Sequence, residues 1–225
     1  MSFIRVFAAL VLVSFFATTT VQAQIAHETK IRHYKIRGKT PLGLVNGMFS
    51  KGKKTNGRVR LASLRTKVDY SAKIPPNSCR NWKIALNAKF LMKLPTPRHQ
   101  RKLPKQTARK FDHFYKFLKT HEETHRRIMV QCLARLQNRA NRLLGSAKSC
   151  PDLLKATSKL EDVVKSEAKR CRAKHEALDR RDEPKLSKTA LYKAAKSEAK
   201  KAGRRANAVP RVGFAYRPTE FNQRK

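Results

Sequence analysis

Five consecutive residues of this chain, His121-Glu122-Glu123-Thr124-His125, form an H-E-x-x-H sequence. On a helix, His121 and His125 project from one face and can bind the same zinc ion, and Glu122 reaches a water molecule on that ion. Zinc lowers the pKa of such a water to about 7, and Glu122 accepts its proton as the water attacks a carbonyl carbon. The pattern therefore predicts a zinc-dependent hydrolase with two histidine ligands and Glu122 as general base.

Both histidines lie within a helical pattern of apolar residues. Apolar side chains recur every three or four residues from Phe111 to Leu143, and this stripe includes His121 and His125. A single histidine on a buried face is normally a hydrogen-bonded core residue, whereas two at ligand spacing indicate a bound metal. The helix is therefore expected to point both imidazoles into the protein.

A catalytic zinc ion also needs a third protein ligand, and the next helix is its predicted source. Two long helical patterns joined near residue 148 predict an antiparallel hairpin. In a hairpin that turns there, His175 faces His121, and Asp179 lies one helical turn further along. His175 is thus the best-placed candidate for the third ligand, and Asp179 is the next.

The part of the chain before the hairpin is β-rich. Residues 30–94 contain a short helix at 41–50 and several extended segments, of which the clearest, at 82–92, alternates apolar and polar residues. Such alternation places one face of a strand against a core. The chain is therefore predicted to be α+β, with a small antiparallel β-sheet packed on a long antiparallel helical hairpin at 106–182 that carries the H-E-x-x-H sequence.

The two ends of the chain differ from this domain. Residues 1–23 are predicted to be a cleaved signal peptide, in which Arg5 precedes a mostly apolar stretch and a small-x-small cleavage site. The apolar stretch has about 12 residues, whereas about 20 are needed to span a bilayer, and no later segment is apolar enough. The mature chain is expected to comprise a zinc metallopeptidase domain at 24–183 and a basic, partly disordered tail at 184–225, in the periplasm or secreted.

The chain is strongly basic. Its 225 residues include 53 Lys and Arg against 15 Asp and Glu, a formal net charge of +38, while 40% of the residues are apolar. The apolar content supports a core and excludes a disordered polycation. The charge attracts anionic partners, which for an exported protein are components of the cell envelope contacted through the basic tail. Nucleic acid is not expected, since the sequence lacks the interleaved aromatic residues of a single-strand binding groove.

Several stretches resemble the bacterial exported proteins catalogued as domain of unknown function 922, a family associated with zinc-dependent proteolysis. The most specific are the H-E-x-x-H-R helix at 121–126 and the Ser-Cys pair at 149–150, which opens the second helix. The opening at 33–40 and the strand region at 79–95 support the likeness. The resemblance spans roughly residues 33–182 and leaves out the basic tail.

By this resemblance, zinc is expected at His121 and His125, with Glu122 as the catalytic residue. The chain departs from the family at the end of the second helix, where members typically carry Tyr-Asp-x-x-Thr-x-His. Asp179 keeps the place of the aspartate, but Pro184 replaces the final histidine. If that histidine is a ligand in the family, this chain needs another third ligand or has lost activity.

Four cysteines in an exported chain are candidates for two disulfides, and four cysteines allow three pairings. The resemblance implies the pair Cys79–Cys150. Cys132 and Cys171 are left to pair with each other, although a hairpin that turns at residue 148 places them about seven residues out of register.

Two functions fit these residues. The first is an exported zinc-dependent metallohydrolase, in the simplest case a peptidase, whose extended peptide or protein substrate pairs with a sheet edge at the strand 80–92. The second is a non-catalytic, strongly basic envelope protein that binds anionic polymers and has a structural or degenerate metal site. Substitution of Glu122 by glutamine separates them, because it abolishes hydrolysis but leaves salt-sensitive polymer binding intact.

Overall fold

The computed structural model describes residues 25–55, 58–73, 79, 82–203, 209, 214 and 220–221. The predicted signal peptide at 1–23 lies outside these residues. The described part is α+β, as predicted, and none of its helices is both long enough and apolar enough to span a bilayer. In chain order its elements are β1 (Ala26–Ile36), α1 (Pro41–Lys51), β2 (Lys53–Thr55), β3 (Arg58–Arg60), β4 (Ser63–Lys73), β5 (Lys83–Pro97), a single 3-10 turn (Gln100–Lys102), α2 (Lys105–Gly145), α3 (Cys150–Ser187), α4 (Ala190–Lys201) and β6 (Glu220–Phe221).

The main sheet has the strand order β1-β5-β4-β6, and β2 and β3 form a separate hairpin. β4 pairs antiparallel with β5, whereas β1 pairs in parallel with β5, and β6 in parallel with β4. The sheet is therefore mixed, and not antiparallel throughout as the sequence analysis expected. Along the chain, α1 and the β2–β3 hairpin lie between β1 and the other strands of the sheet. A connection of this length allows a later strand, β5, to run parallel to β1.

The inward face of β5 packs on α2. Ala88, Phe90 and Met92 are each at most 2% exposed and belong to the same apolar clusters as Leu118 and Met129 of α2. The predicted alternation of this strand is thus confirmed. Full burial of a large apolar side chain stabilises a protein by about 1.5–3 kcal/mol. The sheet therefore holds α2, and with it the H-E-x-x-H sequence, firmly in the core.

α2 and α3 form the predicted helical hairpin, but its register differs from the expected one. A turn centred on residue 148 would leave Cys132 and Cys171 about seven residues apart, yet these two cysteines are bonded to each other. In the same register, His121 contacts Asp182. The connection at 146–149 therefore carries the chain beyond the end of α2 before α3 turns back.

The predicted boundary between domain and tail at residue 183 is not a structural boundary. α3 continues through Pro184 to Ser187, and α4 follows immediately. The first part of the expected tail is folded because its apolar residues lie on one face of α4, while its lysines lie on the other. The remainder of the tail lies largely outside the described residues. Buried in the main core are Leu186, Leu191, Tyr192, Ala195 and Ala199.

Candidate metal centre

His121 and His125 lie one turn apart on α2, and both side chains are buried, with 2% and 5% of their surface exposed. Their Nε2 atoms are 2.9 Å apart. This proximity follows from the i, i+4 spacing, which stacks side chains on one face of a helix. Leu118 and Met129 continue the same buried face. α2 thus presents both imidazoles to the interior, as predicted.

Asp179 on α3 brings a carboxylate to the same point. Its Oδ1 lies 2.9 Å from Nε2 of His125 and 3.2 Å from Nε2 of His121. Nitrogen and oxygen atoms bound to one tetrahedral zinc ion at about 2.0–2.1 Å lie about 3.3 Å from each other. The observed separations are close to this value, so His121, His125 and Asp179 form a buried group that can hold a metal ion.

The other ring nitrogen of His121 contacts a second carboxylate, which was not among the predicted site residues. His121 Nδ1 lies 3.1 Å from Oδ2 of Asp182. Burial alone would raise the pKa of Asp182, but hydrogen bonds from Arg181, Lys185 and His121 outweigh burial and lower it. Asp182 is therefore an ionised acceptor, so Nδ1 of His121 carries the proton. The Nε2 atom of His121 then presents a lone pair to the metal-binding group.

His175, the other candidate third ligand, contacts the opposite side of the His125 ring. Its Nδ1 is 2.7 Å from Nδ1 of His125, and the two rings stack with their centroids 4.9 Å apart. Burial, and secondarily the neighbouring His125, lowers the pKa of His175 to about 3, so this side chain is neutral. When His125 Nδ1 donates to His175, His125 Nε2 presents a lone pair. The structure thus places Asp179, and not His175, with the two Nε2 atoms.

The converging atoms carry negative charge and lone pairs. Burial alone would raise the pKa of Asp179, but the adjacent rings of His121 and His125 outweigh burial and lower it to about 2, so the carboxylate is ionised. Burial lowers the pKa of His125, which favours its neutral form. One carboxylate oxygen and two imidazole lone pairs at this distance repel one another unless a cation lies between them. Two imidazoles and a carboxylate are a donor set that zinc accepts.

Glu122 lines the same cavity and is 3% exposed. Burial raises the pKa of its carboxyl to about 7, and the neighbouring His121 and Arg60 offset this only in part. The next residue, Glu123, lies on the exposed side of α2, where it pairs with Lys119 at 3.7 Å. The two adjacent glutamates therefore have different environments, and only Glu122 shares the cavity with the histidines.

Two segments without any sequence motif complete the cavity. The ring of Phe214 stacks on the ring of His121, with centroids 3.6 Å apart and an interplanar angle of 21°. The beginning of β4 forms another part of the lining. The residues around the cavity are Arg60, Ala62, Ser63, Leu64, Thr66, His121, Glu122, His125, His175, Asp179 and Phe214.

β4, and not β5, is the strand beside this cavity. β5 pairs along its length with β1 on one side and with β4 on the other. The expectation that an extended substrate adds to the edge of the strand 80–92 is therefore wrong, because that strand is central in the sheet. Sequence alternation identifies a half-buried strand but does not tell an edge strand from a central one.

Both candidate disulfides are present. Cys79 and Cys150 have Cα atoms 5.0 Å apart, and Cys132 and Cys171 have Cα atoms 5.9 Å apart. The second bond joins α2 to α3 about two helical turns from the metal-binding group. It therefore helps to set the register between the two helices. Two disulfides fit a protein that folds outside the cytoplasm.

The sequence did contain a signal for Asp182. His175, Asp179 and Asp182 have the spacing i, i+4, i+7, which places all three on one face of a helix. All three are buried in the structure. Buried acidic residues are rare unless they are paired, so a face with two of them indicates a functional site.

One family profile matches this chain. Its description is "Bacterial protein of unknown function (DUF922)", and it matches residues 31–185. The matched range contains every residue of the metal-binding group together with Glu122, His175 and Asp182. No curated protein and no solved structure matches the chain.

Proposed function

This chain belongs to the DUF922 family of bacterial proteins of unknown function, and we propose that it is an exported zinc-dependent hydrolase that acts as a peptidase. One observation carries the proposal. The Nε2 atoms of His121 and His125 and Oδ1 of Asp179 converge in a buried cavity that the carboxyl group of Glu122 also lines. This arrangement supplies three ligands and one acid–base group, which is the set that a hydrolytic zinc site requires.

In this proposal, His121, His125 and Asp179 hold the zinc ion. The bound ion supplies Lewis-acid polarisation of a carbonyl group and lowers the pKa of water to about 7. Glu122 takes up and releases the proton, for which a pKa of about 7 is well suited near neutral pH. Asp182 and His175 orient the two ligand imidazoles through their Nδ1 atoms.

The position of β4 supports a peptide as the substrate. Ser63, Leu64 and Thr66 of this strand line the cavity. Within the described part of the chain, the outer edge of β4 is paired only at Lys67 and Val68, with β6. The edge beside the cavity can therefore pair with an extended peptide through main-chain hydrogen bonds. Such pairing would bring a peptide carbonyl to the metal ligands.

The disulfides and the first 23 residues support export. Four cysteines in two disulfides are typical of the periplasm or the extracellular space, and the first 23 residues have the composition of a signal peptide. In this setting, zinc is the metal that we assign, since its donor set and its filled d shell suit a hydrolytic site without redox chemistry.

The test is metal analysis and hydrolysis of casein or a peptide library by the mature chain and two variants. Wild type is expected to retain about one zinc per chain, and Glu122→Gln to keep the metal but lose at least about a hundredfold in hydrolysis. Glu123→Gln is the matched control, because this neighbouring side chain lies outside the cavity, and it is expected to retain activity.

Two outcomes would contradict the proposal. One is a wild-type protein that holds no transition metal after dialysis. The other is Glu122→Gln protein that hydrolyses the library as fast as Glu123→Gln. If the protein instead binds anionic polymers in a salt-sensitive way and hydrolyses nothing, the non-catalytic function is supported.

A further inference from the structure

One face of the main sheet packs on α2, and the opposite face carries a cluster of cations. On β1, β4 and β5, the residues that alternate with the inward-facing ones include six neighbouring Lys and Arg residues, most of them exposed, beside two acidic residues, Glu28 and Asp69. This surface is called here the basic sheet face. It comprises Lys30 and Arg32 on β1, Arg65 and Lys67 on β4, and Lys89 and Lys93 on β5.

The strand register brings like charges directly opposite one another. Arg32 is level with Lys93 on the neighbouring strand, and Lys89 is level with Lys67 on one side and with Glu28 on the other. Neighbouring strands lie about 4.8 Å apart, and like charges directly opposite destabilise a sheet. Within the described part of the chain, Lys67 alone of the six forms an ion pair with an acidic side chain, Asp69 at 3.7 Å. Cations kept together in this way indicate an anionic ligand.

The basic sheet face and the metal centre share lining residues at the beginning of β4. A concave surface on this face is lined by five cations, Lys30, Arg32, Arg65, Lys67 and Lys89, and by one acidic residue, Glu28, and it shares Thr66 with the cavity that contains Glu122. A neighbouring depression shares Arg65 with this concave surface and Arg60, Ser63 and Leu64 with the metal-site cavity. The three depressions therefore meet along the beginning of β4.

We propose that an acidic polypeptide segment binds the basic sheet face and crosses β4 into the metal centre. Acidic segments of proteins are then the substrate class of the proposed peptidase, and in this respect the inference rests on the proposed function. The basic sheet face attracts the acidic side chains, and Arg60 continues the positive charge to the cavity that Glu122 lines. Charge complementarity of this kind steers association and selects among partners.

Other polyanions fit the surface less well. Its exposed positions contain no aromatic side chain on which a nucleobase could stack. A planar anionic bilayer would touch a concave surface only at its rims, and the one apolar residue among the cations, Leu91, is half-buried and cannot insert. A polypeptide follows the concave surface, and its main chain is the group that the adjoining metal centre is proposed to cut.

The binding test uses the mature chain with Glu122→Gln, loaded with zinc, so that a bound peptide is not cut. The probe is a fluorescent peptide of alternating Glu and Ala, and the reference probe has Gln in place of Glu. Arg65→Glu with Lys89→Glu is expected to weaken binding of the acidic peptide by at least about tenfold and to reduce its salt dependence. Arg65→Gln with Lys89→Gln removes these charges without reversing them, so a smaller loss of affinity is expected. Circular dichroism is expected to show that this variant keeps its native sheet.

The matched control is Lys155→Glu with Lys159→Glu, which changes the net charge equally on an exposed face of α3. It is expected to leave binding within about twofold, because these lysines lie outside the basic sheet face. Equal losses of affinity in Arg65→Glu with Lys89→Glu and in the α3 control would overturn the proposal, since attraction would then depend only on net charge. Tighter binding of an oligonucleotide or of anionic vesicles at the same residues would also overturn it, in favour of those partners.

Hydrolysis by the wild type separates this inference from the proposed function. If acidic and neutral peptides are cut equally fast and Arg65→Glu with Lys89→Glu changes neither rate, the acidic substrate class is wrong while the peptidase stands. If the acidic peptide binds at the basic sheet face but nothing is hydrolysed, the proposed binding surface is supported and the proposed peptidase activity is contradicted.

Discussion

His121 Nδ1 lies 3.1 Å from Oδ2 of Asp182, a carboxylate that also accepts hydrogen bonds from Arg181 and Lys185. The ionised carboxylate leaves the proton on Nδ1 and the lone pair on Nε2, where a metal ion would bind. A carboxylate behind a ligand histidine orients the ring and makes it a stronger donor. The cations around Asp182 in turn keep this carboxylate ionised inside the protein.

Asp182→Asn is therefore expected to weaken zinc binding by about 10–100-fold without removing a ligand. The amide has no negative charge and does not hold the His121 tautomer as strongly. Competition with a chromophoric chelator measures the affinity. Asp162→Asn, at an exposed position of the same helix, is the control. Equal affinities of the two variants would contradict the role of Asp182.

The two candidate third ligands are expected to behave differently when they are substituted. Asp179→Asn should lose tightly bound zinc, because Oδ1 of Asp179 lies 3.2 Å from Nε2 of His121 and 2.9 Å from Nε2 of His125. His175→Gln should retain about one zinc per chain at reduced affinity, since His175 contacts His125 through Nδ1 and acts by orienting that ring. Metal content after gel filtration checks both. The reverse result would identify His175 as the ligand.

The disulfide between Cys132 and Cys171 is expected to affect the metal centre more than the other one does. The loops that the two bonds close have 39 and 71 residues of sequence separation, so removing either is expected to destabilise the fold by about 4 kcal/mol. Paired substitution of Cys132 and Cys171 by alanine should also lower zinc affinity, because this bond joins the two ligand-bearing helices. Paired substitution of Cys79 and Cys150 is the control.

Chemical denaturation and chelator competition on both double variants separate the two effects. Equal changes in zinc affinity would contradict a specific role of Cys132 and Cys171 in setting the register of the helices.

The buried carboxyl of Glu122 makes the stability of the metal-free protein depend on pH. Burial raises its pKa from 4.5 to about 7, so the folded chain binds this proton more tightly than the unfolded chain does. The stability that the proton contributes is full below pH 4.5 and is lost as the pH rises through 7. The free energy of unfolding of Glu122→Gln, relative to that of the wild type, is therefore expected to rise by about 2 kcal/mol between pH 5 and pH 8. Urea unfolding of metal-free protein at both pH values measures this, and a constant difference would contradict it.

Local features were predictable because they depend on residues close in the chain. The short helix predicted at 41–50 is α1, which begins at Pro41, and the side chain of Thr40 before it accepts a hydrogen bond from the main chain of Gly43. Ser149 caps α3 in the same way. The direction of β1 was not predictable, since parallel and antiparallel neighbours show the same alternation of side chains.

The folded part of the chain extends beyond its predicted end at residue 183 for a physical reason. The lysines of α4 dominate its composition, yet its small and apolar residues recur on one face, where Leu191 and Ala195 are completely buried. Charge counts add up all the faces of a helix, whereas packing depends on one face only. Val209 and Phe214 belong to the same core, and no pattern in the sequence pointed to them.

The sequence by itself determined that His121, Glu122 and His125 share one helix and that the two histidines meet, because a spacing of four residues has the same consequence in any helix. Only the tertiary structure decided which carboxylate or imidazole of α3 joins them. That choice depends on how far two helices slide past each other, and a shift of one turn exchanges His175 for Asp179. A short connection does not set this distance; the sheet beneath α2 and the bond between Cys132 and Cys171 do.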